Sequence, residues 1–402
     1  MSSKKTPAIV LGGGITGLSV IRNLGINGVD VYCVADQVDC AMYSKFCKKH
    51  FIIPHIQTNR ALLKNFLQDI ESTINSAVVF PTSDLFSLNL ASIKNEISDT
   101  YFPVVPEAKT LRNIVKKDAF YKSLNAFDLP HPTTFYPKSI RDVEELSSTI
   151  QYPLIIKPVL SQVFYNKFRR KIFRAYSAQD LLNKFQLAVR EHMPVIIQEI
   201  IPGPEDGNYS IVGCFEKNHN PNALFACHRL RGWPKDFGNS SYVESSSLSE
   251  LKTIKDKIVQ YLNKIGYYGV MEAEIKRDPR DGAFKLIEIN ARSWWQNSLP
   301  TNCGINIIYL AYLNSIGITT PYSEQYRIGI HWMYPLNDLQ FFLRFRPEKL
   351  GAWFNSLRKT EDLAYFSKYD MSPWIVKNLL NIVILMESGF MRLASHNYLI
   401  CV

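Results

Sequence analysis

The sequence predicts an α/β protein over its first hundred or so residues and an α+β arrangement in the part that follows. Three observations support this class. Apolar strands alternate with helices up to about residue 105, a glycine-rich turn follows the first strand, and two apolar segments flank a turn near residue 280. Alternating strands and helices are typical of a parallel sheet, whereas a hairpin is antiparallel. A chain of 402 residues exceeds one ordinary core, so we expect several domains.

Composition and charge indicate a globular protein that binds anionic ligands. The chain carries 46 Lys and Arg against 36 Asp and Glu, a formal net charge of +10. This excess suits nucleotides, nucleic acid or an acidic membrane surface. No basic low-complexity tract, zinc-finger or RNA-binding signature accompanies the charge, so we expect no nucleic-acid partner. Seven scattered cysteines without a CxxC pair are typical of free thiols in a cytoplasmic protein.

Neither end of the chain predicts a membrane span. The polar residues 1–7 lead directly into a strand, so we expect no signal peptide. The apolar segment 374–386 is too short to cross a bilayer and is interrupted by Lys377, Asn378 and Asn381. It predicts an amphipathic helix that packs on the protein, with contact to a membrane surface as the second possibility. The sequence does not indicate the oligomeric state.

The first 105 residues predict a parallel sheet with helices between its strands. Strands are expected at 8–11, 29–34, 51–53 and 77–80, with helices after the first strand and over 59–71. Gly12, Gly14 and Gly17 fit the GxGxxG pattern of dinucleotide-binding turns, and Asp36 follows the second strand. This pattern favours an NAD- or FAD-dependent oxidoreductase. A tight turn without a cofactor explains it equally well.

The middle of the chain predicts a helix over 116–127, a strand over 154–157, a helix over 179–190 and a strand over 195–199. Pro158 ends the first of these strands, and the following segment up to residue 171 is basic, aromatic and free of glycine. The run Pro202-Gly203-Pro204 breaks the chain before a longer, mixed segment.

A hairpin near residue 280 carries the most informative polar pattern. Strands are expected over 268–276 and around 286–290, with the turn centred near Arg280. That register places Glu272 opposite Glu288 and Glu274 opposite Leu286, and side chains alternate between faces, so Asn290 shares the face of these acids. Crowded carboxylates repel one another unless a cation lies among them. Oxygen ligands without Cys or His suit Mg²⁺.

These segments, in this order and spacing, resemble the ATP-grasp enzymes. Within that superfamily the chain is most similar to the group that contains D-aspartate ligase and related ligases of cell-envelope or polysaccharide biosynthesis, over roughly residues 8–315. The resemblance implies a Rossmann-like domain over 1–105 and a linker helix with a lid subdomain over 106–199. It further implies a core with the Mg·ATP carboxylates over 200–320, and we expect a helical C-terminal extension over 321–402.

The resemblance also implies a role for individual residues. Lys117 (or Lys116) and Lys157 would contact the ATP phosphates, Gln198, Glu199 and Ile201 the adenine, and Glu205 (or Asp206) the ribose. Glu274 (or Glu272), Glu288 and Asn290 would hold Mg²⁺ or Mn²⁺, Arg292 and Lys157 would act on the transferring phosphoryl group, and Arg229 and Arg231 would bind substrate. The glycine-free lid departs from the glycine-rich loop of many members, and its cationic side chains would cover the triphosphate instead.

The activity implied is an ATP-dependent carboxylate–amine ligase. Its members activate an acid as an acyl phosphate and join it to an amine, so the expected partners are two small-molecule substrates. A nicotinamide or flavin oxidoreductase and a nucleotide-binding protein without catalysis are the alternatives. Neither periodicity nor charge indicates which acid and amine are used.

Overall fold

A computed structural model describes residues 5–234 and 238–381, and within them the chain forms three β-sheets with helices around them. The first sheet is parallel and five-stranded, the second antiparallel and four-stranded, and the third seven-stranded. The mixed α/β class predicted from the sequence is therefore confirmed.

The parallel sheet occupies the N-terminal part of the chain, with strand order β3-β2-β1-β4-β5. Its elements are β1 (Ala8–Leu11), α1 (Gly14–Gly25), β2 (Val31–Ala35), β3 (Cys47–Ile52), α2 (Arg60–Asp69), β4 (Ala77–Pro81), α3 (Asp84–Ile93) and β5 (Tyr101–Pro103). Strands β1 and β4 are buried along their whole length, as expected for central strands covered on both faces. The edge strand β3 is mostly exposed and carries Lys48 and Lys49, which protect an edge from pairing with other chains.

Two helices connect the parallel sheet to the four-stranded sheet, whose order is β6-β9-β7-β8. The elements are α4 (Ala108–Val115), α5 (Lys117–Ala126), β6 (Thr134–Phe135), α6 (Ile140–Ser147), β7 (Leu154–Pro158), α7 (Ser161–Phe168), β8 (Phe173–Ala175), α8 (Ala178–Arg190) and β9 (Val195–Glu199). Ser139 and Asp142 form a capping box that starts α6. Helices α6 and α8 pack on the sheet around a small separate core with Phe164, Phe173 and Phe185.

The seven-stranded sheet has the order β14-β13-β10-β11-β12-β15-β16. Its elements are β10 (Asn208–Phe215), β11 (Pro221–Trp233), β12 (Asn239–Ser246), α9 (Lys252–Lys264), β13 (Gly269–Arg277), β14 (Phe284–Asn290), α10 (Ser298–Asn302), α11 (Ile307–Ser315), β15 (His331–Met333), α12 (Pro335–Phe345), α13 (Leu350–Lys359) and β16 (Thr360–Leu363). All neighbours pair antiparallel except β15 and β16.

The predicted hairpin is present as β13 and β14, but its register differs from the expected one. Glu274 pairs with Glu288, and Glu272 pairs with Asn290. The turn is centred half a residue later than predicted, because Arg277 pairs with Phe284, and a bulge between Glu274 and Ile275 shifts the register further. The prediction that Glu272 lies opposite Glu288 is therefore wrong, since a bulge leaves no composition signal in a strand of this kind.

Two further segments differ from the simplest reading of the sequence. The glycine-free segment after Pro158 contains the helix α7 rather than an extended loop. The segment expected to be a helical extension contains α12, α13 and a helix over 372–381, but it also supplies β15 and β16 to the seven-stranded sheet. The remainder of the predicted helix 374–386 lies outside the described residues.

Within the part of the chain that the structure describes, none of the helices combines the length and the apolar composition needed to cross a lipid bilayer.

Asp362 in β16 gives the fold an expected pH dependence. Burial raises the pKa of its carboxyl to about 6, although hydrogen bonds from Ser298 and Asn302 and the charge of Arg22 act in the opposite direction. The native state therefore retains this proton at pH values where the unfolded chain has lost it, and stability falls as the pH rises from about 4 to 6. We expect Asp362→Asn to raise the unfolding free energy at pH 7.5 by on the order of 2 kcal/mol, with little change at pH 4. Urea denaturation at both pH values measures this, and an equal effect at both would contradict it.

Candidate functional site

A cavity of about 510 Å³ lies between the four-stranded and the seven-stranded sheets. Most of the residues selected from the sequence line it, although they come from α5, both sheets and the segments that join them. They are Lys117, Lys157, Gln198, Glu199, Ile201, Arg229, Glu274, Glu288, Asn290 and Arg292. Glu205 and Arg231 do not line it. The fold thus brings ten separated residues to one cleft.

The end of β9 forms one side of this cavity. Gln198 is 1% exposed, and its Nε2 donates to Oγ1 of Thr134 at 2.7 Å. Glu199 has its carboxylate turned to the protein, where it accepts from the backbone N–H of Thr133 at 2.8 Å and from Arg280 at 2.9 Å. The carboxylate of Glu199 therefore anchors the strand end, and the backbone N–H of Glu199 also donates to the carbonyl of Thr133 at 3.0 Å, so these groups are already bound by the protein. Ile201, 4% exposed, adds an apolar surface beside them.

Two lysines lie near Glu288 at the centre of the cleft. Lys117 begins α5, and its Nζ donates to Oε2 of Glu288 at 3.0 Å. Lys157 in β7 is only 8% exposed, with its ammonium 5.9 Å from the ring centroid of Tyr121. Burial opposes ionisation of Glu288 most strongly, but the charges of Lys117, Lys157 and Arg292 hold the pKa of this carboxyl well below its ordinary range. A buried ammonium such as that of Lys157 requires an anionic partner, and phosphate oxygens can provide one.

The polar face of β13 and β14 is held together by Asn290. Its Nδ2 donates to Oε2 of Glu272 at 3.0 Å and to Oε1 of Glu274 at 3.2 Å. Glu272 is 8% exposed and also accepts from Ser210. Burial and then the neighbouring charge of Glu274 raise the pKa of Glu272. Glu272 is absent from the lining of the large cavity, whereas Glu274 and Glu288 both face it, so this geometry favours Glu274 as the ligand of a cation.

The residues on this face suit a magnesium ion that shares its ligands with a phosphate. Over 5–234 and 238–381, no group of three or more His, Cys, Asp or Glu side chains is placed to hold a metal alone. Mg²⁺ is commonly bound by one or two carboxylates together with substrate phosphates and water. Glu274 and Glu288, paired across adjacent strands, provide that number of carboxylates, and Asn290 adds an amide oxygen. The donor set therefore fits Mg²⁺ when a phosphate is present to complete it.

Arg292 is oriented by three partners at once. Its Nε donates to Oδ1 of Asp84 at 2.8 Å, its Nη2 to Oδ1 of Asn290 at 3.0 Å, and its Nη1 to the carbonyl of Ser293 at 3.0 Å. Asp84 begins α3 and reaches the cleft from the N-terminal part of the chain. Sequence reasoning missed Asp84, although one signal was available. It lies just beyond the carboxyl end of a central parallel strand, where ligand-binding residues of α/β sheets are concentrated.

The two arginines of β11 point to different places. Arg229 lines the cleft, where it donates to Ser240 at 2.8 Å and lies 3.7 Å from Glu205. Arg231 forms two hydrogen bonds of 2.9 Å with the fully buried carboxylate of Asp338 and stacks on Tyr242. Residues two apart face the same side of a regular strand, so the sequence spacing predicts that both arginines share one face. This prediction is wrong, because irregular pairing between β11 and β12 shifts the register at this point.

The acidic residues expected at the ribose lie beside the cleft rather than on its surface. Glu205 belongs to a short 3₁₀ turn and faces Arg229, and it is absent from the residues lining the cavity. The backbone carbonyl of the neighbouring Asp206 accepts a hydrogen bond from His228. An interaction of either residue with a ribose therefore stays a prediction.

The glycine turn is present between β1 and α1 and requires its glycines. Gly12 has φ +103° and Gly14 φ +66°, a region that other residues rarely adopt, and a Cβ on Gly17 would lie 2.3 Å from the carbonyl oxygen of Gly12. The carboxylate of Asp36 accepts from the backbone of Gln57 at 3.3 Å. Close packing of the turn on α1 thus accounts for the GxGxxG pattern without a dinucleotide.

Comparison with known proteins places these observations in a family context. No protein-family model matches the chain. A D-aspartate ligase of Enterococcus faecium (strain Aus0004) is 24% identical over 288 residues, which cover 68% of this chain and 67% of that enzyme. N5-carboxyaminoimidazole synthetase from Staphylococcus aureus superposes with a TM-score of 0.65 at 14% identity, over 85% of this chain and 86% of that one.

A second solved structure is similar in the same way. The L-amino acid ligase from Bacillus licheniformis superposes with a TM-score of 0.60 at 13% identity and covers 79% of this chain and 75% of its own. At such identities the likeness to the solved structures concerns the fold. These relatives give no support to the oxidoreductase alternative.

Proposed function

We propose that the chain is an ATP-grasp protein of the carboxylate–amine ligase group, and that it activates a small carboxylic acid with Mg·ATP and joins it to an amine. The products would be an amide, ADP and phosphate. The observation that carries the proposal is the meeting of Lys117, Lys157, Arg292 and the Glu274–Glu288 pair around one cavity.

Each part of the cavity has a role in this proposal. The end of β9, with Gln198 and the backbone near Ile201, supports the adenine. Lys117 and Lys157 orient the phosphates, and a magnesium ion bound at Glu274, Glu288 and Asn290 would supply charge compensation for the triphosphate. Arg292, held by Asp84, presents its guanidinium to the transferring phosphoryl group, where a positioned cation is most effective.

The reaction itself needs no covalent protein nucleophile. An oxygen of the acid attacks the γ-phosphorus, the bond between that phosphorus and the bridging oxygen breaks, and ADP leaves. The amine nitrogen then attacks the acyl carbon, the carbon–oxygen bond to the phosphate breaks, and phosphate leaves while nitrogen releases its surplus proton. Closure of the four-stranded sheet over the cleft would keep water from the acyl phosphate.

The structure leads us to propose boundaries and a location as well. The parallel sheet, the four-stranded sheet and the seven-stranded sheet support units over 1–105, 106–199 and 200–320, with the last unit extended by β15 and β16. The six cysteines among the described residues are free, which supports a cytoplasmic protein.

Nucleotide binding provides the direct test. We expect the wild-type chain to bind the non-hydrolysable analogue AMP-PNP in calorimetry only when Mg²⁺ is present. Lys157→Met should weaken this binding by about tenfold or more, because it removes a buried cation from the phosphate end of the cavity. Lys184→Met is the matched control, since Lys184 pairs with Asp180 on the outer surface of α8. Equal affinities for the wild type and Lys157→Met would contradict the assignment.

A further inference from the structure

A second cavity of about 280 Å³ adjoins the first and has a different character. The two share five residues, Asp84, Lys117, Glu288, Asn290 and Arg292. The residues at the end of β9, which support the adenine in our proposal, line only the first cavity. The shared residues, which act on the phosphoryl group in our proposal, therefore separate the second cavity from the adenine end of the first. A second substrate has to approach from the side of the second cavity.

The second cavity has an apolar wall and an uncharged polar end. The apolar wall consists of Leu85, Leu88, Ile114, Val115, Leu160 and Ile289. Thr16, Gln57, Thr82 and Ser83 form the polar end, which continues toward the glycine turn. This division is typical of a site for a small molecule that has one polar and one apolar part.

The charged groups that line the second cavity are paired with one another. Lys117 is bound to Glu288 at 3.0 Å, and Arg292 is bound to Asp84 at 2.8 Å. A substrate with an additional charged side chain would have to break one of these pairs or lose its hydration beside the apolar wall, and both are unfavourable. The lining thus selects against charge at the wall.

A third, smaller cavity of about 110 Å³ provides a contrast. Its lining is largely polar and includes Arg229, Glu272, Glu274 and Asn239, and it also reaches Arg292. The two small cavities therefore approach the same guanidinium from chemically distinct sides. A compact polar acid suits the cavity of about 110 Å³, where Arg229 can bind its carboxylate. The cavity of about 280 Å³ is then left for the amine.

From these contacts we propose that the amine substrate is a small molecule with an aliphatic or aromatic side group, which packs against the apolar wall formed by α3, α4, β14 and Leu160. This inference rests on the proposed ligase function and identifies the class of its second substrate. The volume of about 280 Å³ lies near the lower end of ligand sites, so a single amino acid or a similar amine fits and a long peptide does not.

The test measures amine binding directly in the full-length chain without nucleotide. The probes are leucine and phenylalanine, with glycine and aspartate as comparison, each chiral probe in both enantiomers and titrated by calorimetry. We expect an enantiomer of leucine or phenylalanine to bind at least about tenfold more tightly than glycine or aspartate, because each additional buried methylene typically contributes a factor of that order. Tighter binding of glycine or aspartate would overturn the inference.

Variants of the wall localise the effect. Leu88→Lys places a charge on the wall from α3 and should abolish the apolar preference, and the milder Leu88→Ala should reduce it without the risk of misfolding. Leu187→Lys is the control, because Leu187 is 40% exposed on α8 and lines none of these cavities. Unchanged binding in both Leu88 variants would overturn the inference.

The two proposals fail in different ways. If the wild type releases no ADP with any combination of acid and amine, the ligase function is refuted, while calorimetry still measures the amine preference. If ADP release depends on glycine or aspartate rather than on an apolar amine, the ligase function stands, but the inference that the apolar wall binds the side group of the amine is refuted.

Discussion

Replacing Glu288 with glutamine is expected to lower the rate of ADP formation by about 10²–10³-fold, the range found when one preorganised electrostatic group is removed from an active site. Glu288 lies directly opposite Glu274, and its carboxylate accepts a hydrogen bond of 3.0 Å from the ammonium of Lys117. The amide has no charge to share with a magnesium ion, and it leaves Lys117 without its carboxylate. Steady-state ADP release with Mg·ATP and an excess of both substrates measures the effect.

The fold should be almost unchanged by this substitution, since the side chain of Glu288 is 36% exposed and its shape is conserved in glutamine. Glu244→Gln is the matched control. Glu244 lies in the same seven-stranded sheet, is 33% exposed and lies 3.4 Å from His331, but it lines none of the cavities. Turnover that is unchanged in the Glu288 variant, or equally reduced in both variants, would refute the assigned role.

Replacing the two arginines of β11 one at a time should have different effects: one replacement lowers the unfolding free energy, and the other weakens substrate binding. Arg231→Ala removes the two hydrogen bonds from the guanidinium to the fully buried Asp338, and it leaves the charge of this carboxylate uncompensated, with the hydroxyl of Ser241 still donating to it at 2.9 Å. Breaking a pair of this kind typically costs about 3 kcal/mol or more of unfolding free energy. Arg229→Ala removes a cation from the cleft and is expected to weaken the binding of the acid while changing stability much less.

Denaturation in urea and the apparent KM for the acid distinguish the two variants. The double replacement of Arg231 and Asp338 by Met and Leu should recover much of the lost stability, because apolar residues of similar volume commonly replace buried ion pairs at little cost. If Arg231→Ala changed the KM for the acid but left the unfolding free energy unaltered, Arg231 would belong to the substrate site after all.

Parts of the site could be predicted because local patterns determine them. Alternation along a strand is a property of the backbone, so the sequence placed Glu288 and Asn290 on one face of β14, as observed. Lys157 precedes a proline at the end of an apolar strand, and such a lysine is buried in the structure. These inferences need only the residues next to the one in question.

Other parts could not be predicted, because they depend on contacts between distant residues. Asp84 and Arg292 are separated by 208 positions and meet only when the parallel sheet packs beside β14. The irregular pairing that directs Arg231 to Asp338 arises between two long strands, and Gly232 at its second shift does not by itself indicate where the register changes. The helix α7 formed in a segment whose basic and aromatic composition indicated only a lid.

The amino-acid sequence by itself indicated the alternation of strands and helices over residues 1–105, the glycine turn after β1 and most of the polar residues available to the cleft, because each follows from short-range periodicity and backbone sterics. Only the tertiary structure decided which partner each of these side chains contacts and which cavity it lines. Packing of three sheets paired Arg292 with Asp84, withdrew Arg231 and Glu272 from the large cavity, and placed an apolar wall beside the phosphoryl-transfer residues. A hydrogen bond or a cavity requires partners at a fixed distance in space, and spacing along the chain does not specify that distance.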